Sequence, residues 1–165
     1  MSSAIEITGP TVCASAECEQ VMRSLPAWFG VEHALRQYAR DTTRLPTFVA
    51  HDAASQVTGF ITLHHHFIHA WEIHCIAVHA RRRRQGLGRA LLRHAERWAV
   101  DRGAVLMQVK TIADSHPSVE YEQTRQFYRR CGYMPLEVFP TLWRPEHPCL
   151  QMVKWIGTGT RHDSA

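Results

Sequence analysis

The chain has 165 residues, 45% of them hydrophobic and 21% charged, with a formal net charge of +4. These values are ordinary for one soluble domain with its own core, and no apolar run approaches the length of a membrane span. The basic excess is concentrated at Arg81 to Arg84 rather than spread along a face, which disfavours a protein that wraps nucleic acid.

The first residues, MSSAIEITGP, lack a basic segment followed by an apolar one, so no secretory signal is expected. "AIEIT" (4–8) alternates as a first strand, ended by Gly9-Pro10. A helical pattern runs over about 14–24 until Pro26, and "AWFG" (27–30) forms an aromatic loop. A second helix is predicted over 31–41. "TFVAHD" and "QVTGFITLHHHF" read as two antiparallel strands joined by a turn at 53–56. "AWEIHCIAVH" (70–79) is apolar on both faces, as a central strand is. Beyond the arginines, Leu87, Leu91, His94, Ala95 and Trp98 recur at helical spacing until Gly103. "AVLMQVK" (104–110) is another buried strand. "YEQTRQFYRRCGY" gives a helix closed by Gly132 in a left-handed cap. "MPLEVF" and "CLQMVKWI" are two last strands around a Pro-rich loop, 140–148. The predicted order is β-α-α-β-β-β-α-β-α-β-β, a mixed, mostly antiparallel seven-stranded sheet with helices on both faces. One domain spans 1–156, and 157–165 reads as a disordered tail. Five cysteines, at 13, 18, 75, 131 and 149, form no CxxC pair, which fits a reduced, cytoplasmic protein.

The strand–loop–helix unit from Ile73 to Trp98 carries the first chemical signal. The first turn of a helix offers unpaired N–H groups and a partial positive charge. Gly86 and Gly88 let that backbone approach an anion, and Arg83 and Arg84 add fixed charge beside it. The loop is neither a Walker P-loop, since GxxxxGK[ST] is missing, nor a dinucleotide fingerprint, since Leu91 stands where a glycine is required. From spacing alone it is either a phosphate site or a solvated basic turn.

Arg83-Arg84-Gln85-Gly86-Leu87-Gly88 resembles the R/Q-x-x-G-x-G/A signature of the GCN5-related N-acetyltransferase (GNAT) superfamily. A second segment, "FYRRCGY" (127–133), is similar to that family's F-Y-x-x-x-G-F/Y. The resemblance covers about 4–156 and implies the GNAT fold with acetyl-CoA as cosubstrate. It implies that the backbone of Gln85, Gly86, Leu87, Gly88 and Arg89 cradles the pyrophosphate, beside Arg83 and Arg84. It further implies that Ile76, Ala77 and Val78 pair by main chain with the pantetheine arm, with one N–H there contacting the thioester oxygen. Arg81 and Arg82 either reach the 3′-phosphate or face water. Thr124 and Phe127 stand at helix positions that face the cofactor in the family. Tyr121 and Thr124, however, replace its usual Asn and Ala, which puts pantetheine contacts from those side chains in doubt.

Acetyl transfer to an amine needs a proton acceptor. Strict alternation puts Glu72 and His74 on one strand face with Ile76 and Val78, and turns Cys75 away into the core. Glu72 stands where the histone lysine acetyltransferases carry their catalytic glutamate. Glu72 and His74 also resemble the paired histidines of the arylalkylamine acetyltransferases. Glu72 is ranked first as general base, on the expectation that it is a lone carboxylate in an apolar strand, and His74 second. Tyr128 matches the family's tyrosine near sulfur and is the expected general acid. Of the histidines His64, His65, His66 and His69, only His64 and His66 share a face with strand spacing, so no metal is expected. Trp28, Phe29, Trp71 and Trp143 either wall an amine pocket or serve as core or dimer contacts. The expected partner is a small-molecule or peptide amine, with no membrane and no nucleic acid, and a homodimer is left open. The rival reading is a non-catalytic module that binds acetyl-CoA or nucleic acid. The joint presence of Glu72, His74 and Tyr128 favours the enzyme.

Overall fold

The computed structural model describes residues 5–10 and 14–157. The predicted tail lies outside them except for Gly157, as do Ala4 of the first predicted strand and Cys13. The elements follow the predicted order: β1 (Glu6–Thr8), α1 (Ser15–Arg23), α2 (Glu32–Asp41), β2 (Thr47–His51), β3 (Val57–Phe67), β4 (Ala70–Val78), α3 (Leu87–Val100), β5 (Leu106–Ile112), α4 (Val119–Arg130), β6 (Met134–Arg144) and β7 (His147–Trp155). A short 3-10 turn, Ala80–Arg82, separates β4 from the glycine loop.

The seven strands form one sheet in the order β1-β2-β3-β4-β5-β7-β6. Every pair is antiparallel except β4 with β5. Alternating side chains feed two apolar clusters on opposite faces. On one face Phe48, Ile61, Leu63, Trp71 and Ile73 pack with Leu87, Leu91 and Leu92 of α3 and Tyr128 of α4. On the other, Val49, Phe60, Cys75 and Ala77 pack with Cys18, Val21 and Met22 of α1 and Leu35 and Ala39 of α2. Trp71 is therefore core, edge-on to Trp98 at 5.3 Å.

Local signals fix the helix ends. The Ser118 side chain accepts the Tyr121 N–H at the start of α4, acidic Glu120 and Glu122 occupy its first turn, and Arg129 and Arg130 its last. Gly132 then adopts φ +93°, the predicted left-handed cap. Glu96 of α3, Tyr133 and Lys154 of β7 join in a hydrogen-bonded trio at 2.9 Å, which fixes α3 against the sheet.

The Pro-rich loop is a correction. β6 runs through Pro140 to Arg144, and only Pro145 and Glu146 turn the chain into β7. Proline is compatible with a strand there because β6 is the sheet edge, where one row of N–H groups needs no partner. β6 is exposed almost throughout, including Met134, Leu136, Val138, Leu142 and Trp143. Among the described residues no helix is long and apolar enough to cross a membrane.

Candidate active site

The site begins where two central strands part. β4 and β5 pair only from Ala70↔Leu106 to Ile73↔Val109. Beyond that point β5 continues to Ile112 against β7, while β4 continues to Val78 against β3 alone. Among the described residues no strand pairs with the β5-side edge of β4 from His74 to Val78. Its outward N–H and C=O groups are open to an extended partner.

At the parting point β4 also carries an extra residue. Thr62 faces Cys75 and Leu63 faces Ile73, so His74 is a bulge. The bulge changes which side chains share a face, correcting the expectation from strict alternation. Trp71 and Ile73 point to the α3 side, and after the bulge so do Ile76 and Val78. Glu72, His74, Cys75 and Ala77 take the α1/α2 side. Glu72 and His74 therefore do not line up with Ile76 and Val78. Cys75 is core as expected, yet on the same side as His74 rather than turned away from it.

On the α3/α4 side, a cleft of about 510 Å³ follows the open edge of β4 to the start of α3. Ile76, Ala77, Val78, Arg83, Arg84, Gly86, Leu87, Gly88, Arg89, Thr124, Phe127 and Tyr128 all line it. Gln85 does not; its amide turns back to donate to the Arg81 carbonyl at 3.3 Å. Arg82 lines the cleft whereas Arg81 does not, which separates two residues the sequence left together. Arg84 and Gly86 both adopt left-handed backbone, φ +61° and +82°, and turn the chain sharply into α3. A Cβ on Gly86 would meet nothing within 4 Å, because it would project into open space. No side chain caps α3, so its first N–H groups face the cleft with Arg82, Arg83, Arg84, Arg89 and Arg130 around it. The arrangement can accommodate a polyanion, and its apolar wall along β4 suits an extended, mostly uncharged arm. The residues present therefore fit acetyl-CoA.

Tyr128 is buried against Phe127 and Tyr133. Burial, then the neighbouring Cys75, raises its phenol well above the ordinary value, so it keeps its proton. Across the cleft mouth, the Trp28 indole N–H donates to Thr124 Oγ1 at 3.0 Å, and the Tyr121 hydroxyl donates to the Trp28 carbonyl at 3.3 Å. The Arg83 guanidinium lies 4.3 Å over the Trp28 ring. The two positions where this chain departs from the GNAT pattern, 121 and 124, are thus the two that hold the α1–α2 loop against α4. Phe29 also lines the cleft, while Trp143 lies on the far edge strand.

On the α1/α2 side, Glu72 is not a lone carboxylate. Its Oε2 accepts from Lys110 Nζ at 2.7 Å, His66 Nε2 at 2.6 Å and Gln108 Nε2 at 3.1 Å. Burial pushes its pKa up, but the hydrogen bonds from Lys110 and His66 outweigh this and hold it below the usual carboxylate value. His74 Nε2 lies 2.8 Å from Asp41 Oδ2, and the Tyr38 ring meets the imidazole edge-on at 5.3 Å. His64 sits between the two groups, 4.5 Å from the His66 ring and 6.3 Å from the His74 ring. Burial, then His66, lowers the pKa of His64. Among the described residues no three His, Cys, Asp or Glu side chains form a metal-binding group. Sequence reasoning missed Asp41, Tyr38 and Lys110, which reach the site from α2 and β5. Only the polar positions of β5 within an apolar strand hinted at Lys110 and Gln108.

A family model for the acetyltransferase (GNAT) family matches residues 16–133. The chain belongs to the GNAT acetyltransferase family. Solved structures of the family superpose over nearly the whole chain. A GNAT-family protein from Desulfovibrio desulfuricans is 17% identical with a TM-score of 0.78, covering 93% of this chain and 99% of that one. An aminoglycoside 6′-N-acetyltransferase complexed with coenzyme A is 19% identical with a TM-score of 0.73, covering 96% and 99%. The ribosomal-protein-S18-alanine N-acetyltransferase from Escherichia coli is 17% identical with a TM-score of 0.73, covering 98% and 100%. At these identities the likeness is one of fold. No curated protein sequence matches the chain.

Proposed function

We propose that this GNAT protein transfers acetyl from acetyl-CoA to a primary amine by direct attack in a ternary complex. The observation that carries the reading is the split between β4 and β5. It joins a polyanion cradle and apolar cleft on one face to Glu72 and His74 on the other. Acetyl-CoA supplies the activated thioester; the aminoglycoside acetyltransferase complexed with coenzyme A supports it as the ligand. The N–H groups of Gly86 to Arg89 and the surrounding arginines hold the phosphates. The open edge of β4 from Ile76 to Val78 holds the arm in register.

We rank His74 above Glu72 as the base. Glu72 lies where β4 is still paired on both edges, and its lowered pKa makes it a weak proton acceptor. His74 lies at the opening, with no hydrogen bond to Nδ1 among the described residues. An ammonium acceptor gives up two protons in the reaction. One leaves through His74 to water, and the other ends on sulfur as the C–S bond breaks and the C–N bond forms. Tyr128 donates a hydrogen bond to that sulfur, and its raised pKa keeps the phenol protonated for that role.

The test is a screen of alkyl, arylalkyl and peptide amines with acetyl-CoA, read as free thiol. Thiol release with at least one amine is expected. His74→Gln should lower turnover roughly 10²–10⁴-fold, the usual worth of a positioned base, with acetyl-CoA affinity within about twofold. Acetyl-CoA binding without transfer to any amine would support the binding-module reading instead.

A further inference from the structure

Resting on the reading of His74 as the base, we infer that Asp41 is a positioning residue that fixes the His74 tautomer. The proton is held on Nε2, leaving Nδ1 as the proton acceptor. A carboxylate only accepts hydrogen bonds, so at 2.8 Å from Asp41 Oδ2 the His74 Nε2 must donate. The carboxylate is itself oriented. Its other oxygen, Oδ1, accepts from the Gln37 side chain at 2.8 Å, one helical turn back. Tyr38, the next residue, sets the plane of the imidazole with its ring inclined at 62°. One turn of α2 thus supplies the partner of Nε2, the orienter of that partner and the wall of the ring. The β4 bulge turns His74 toward that turn.

Asp41 is the last residue of α2, where a negative charge opposes the helix dipole. Against that the helix gains only the bond from Gln37, and the carboxylate is largely shielded from water, 16% exposed. Its second oxygen is spent on a histidine from a different element, thirty-three positions away in sequence. The same logic of a carboxylate choosing the nitrogen that keeps the proton governs Ser-His-Asp triads. Here no nucleophilic side chain is involved.

The experiment is long-range ¹⁵N–¹H correlation NMR of the full chain labelled at histidine, at pH 8, with the His74 signal assigned by its loss in His74→Gln. In the wild type the Nε2–H pattern is expected. In Asp41→Asn the side-chain amide can donate to Nε2 instead, so the signal should shift toward the Nδ1–H pattern. Turnover with the fastest amine from the screen should fall roughly 10²–10⁴-fold, at an acetyl-CoA Kd within about twofold. Asp41→Glu should recover part of both. Asp41→Ala guards against misfolding of the Asn variant, and a mixture of tautomers is expected there. An Nδ1–H ring in the wild type, or a pure Nε2–H ring in folded Asp41→Asn or Asp41→Ala, overturns the inference. Full turnover in His74→Gln with the tautomers behaving as expected overturns the base assignment and leaves the Asp41–His74 relation standing.

Discussion

Gly86→Ala separates the cost of an unusual backbone from the loss of a binding site. Gly86 holds φ +82°, and an added Cβ meets no atom within 4 Å, so steric clash contributes nothing to its cost in the free protein. What remains is the left-handed conformation, roughly 1–2 kcal/mol for an L-residue, offset by about 0.4–1 kcal/mol because alanine loses less chain entropy on folding. The net is about 1 kcal/mol, or roughly 2–4 °C in Tm for a domain of this size. The effect on binding is larger, because the methyl group stands in the space where phosphate oxygens must approach the α3 N–H groups. Losing one charge-assisted hydrogen bond, about 1.5–3 kcal/mol, weakens acetyl-CoA roughly 10- to 150-fold. Gly103→Ala is the matched control. Gly103 is also left-handed, φ +88°, but lies beyond the C-terminus of α3, and its Cβ would come 3.3 Å from the exposed Ile68 side chain. Calorimetric titration and thermal melting of both variants should give similar Tm losses and a loss of affinity in Gly86→Ala alone. Equal affinity in the two would mean that the loop is only a turn.

Tyr128→Phe should lower turnover about tenfold or more while acetyl-CoA affinity stays within a few-fold, measured by free-thiol kinetics and titration. Acetyl-CoA should change the tryptophan fluorescence of the wild type, and Trp28→Phe should abolish most of that change, because the other tryptophans do not line the cleft. The folded-state pKa of Glu72 is held below its ordinary value of 4.5, so its contribution to stability is present above that value and is lost as pH falls through the folded pKa. Urea melts should therefore show Glu72→Gln less stable than wild type above pH 5, with the difference closing below about 4.5.

Most of the scaffold was legible because its signals are local. Apolar periodicity, Pro26, Gly103 and Gly132 marked every helix, and a hairpin pattern followed by two apolar runs marked β2 to β5 within a few residues. The place of the glycine loop was legible because its residues are consecutive in sequence, and all its predicted members except Gln85 line the cleft. What was hidden depends on contacts distant in sequence or on register. Strict alternation put Glu72 and His74 on a face with Ile76 and Val78, and one bulge undid that grouping. The apolar run of β4 suggested an isolated Glu72, because Lys110 lies thirty-eight positions away on the parallel neighbour. Tyr121 and Thr124 looked like losses of cofactor contacts, since the Trp28 that engages them is more than ninety positions distant. β6 was cut short at Phe139 because proline is read as a breaker, whereas an edge strand has a row of donors to spare.

The extra residue in β4 bears on how this gene can tolerate change. Because Leu63 faces Ile73 and Thr62 faces Cys75, removing the single codon for His74 would restore continuous pairing along β3 and leave every later side chain on its present face. Ile76 and Val78 would stay toward α3, and Cys75 and Ala77 toward α1. Replacing His74 with almost any residue leaves that register intact. A deletion scan and a substitution scan should therefore agree at this codon when the readout is soluble expression. The strand parting is thus a place where the chain can lose a residue without moving its core, so it is the use made of the extra residue's side chain, and not the packing, that holds it in lineages of this chain.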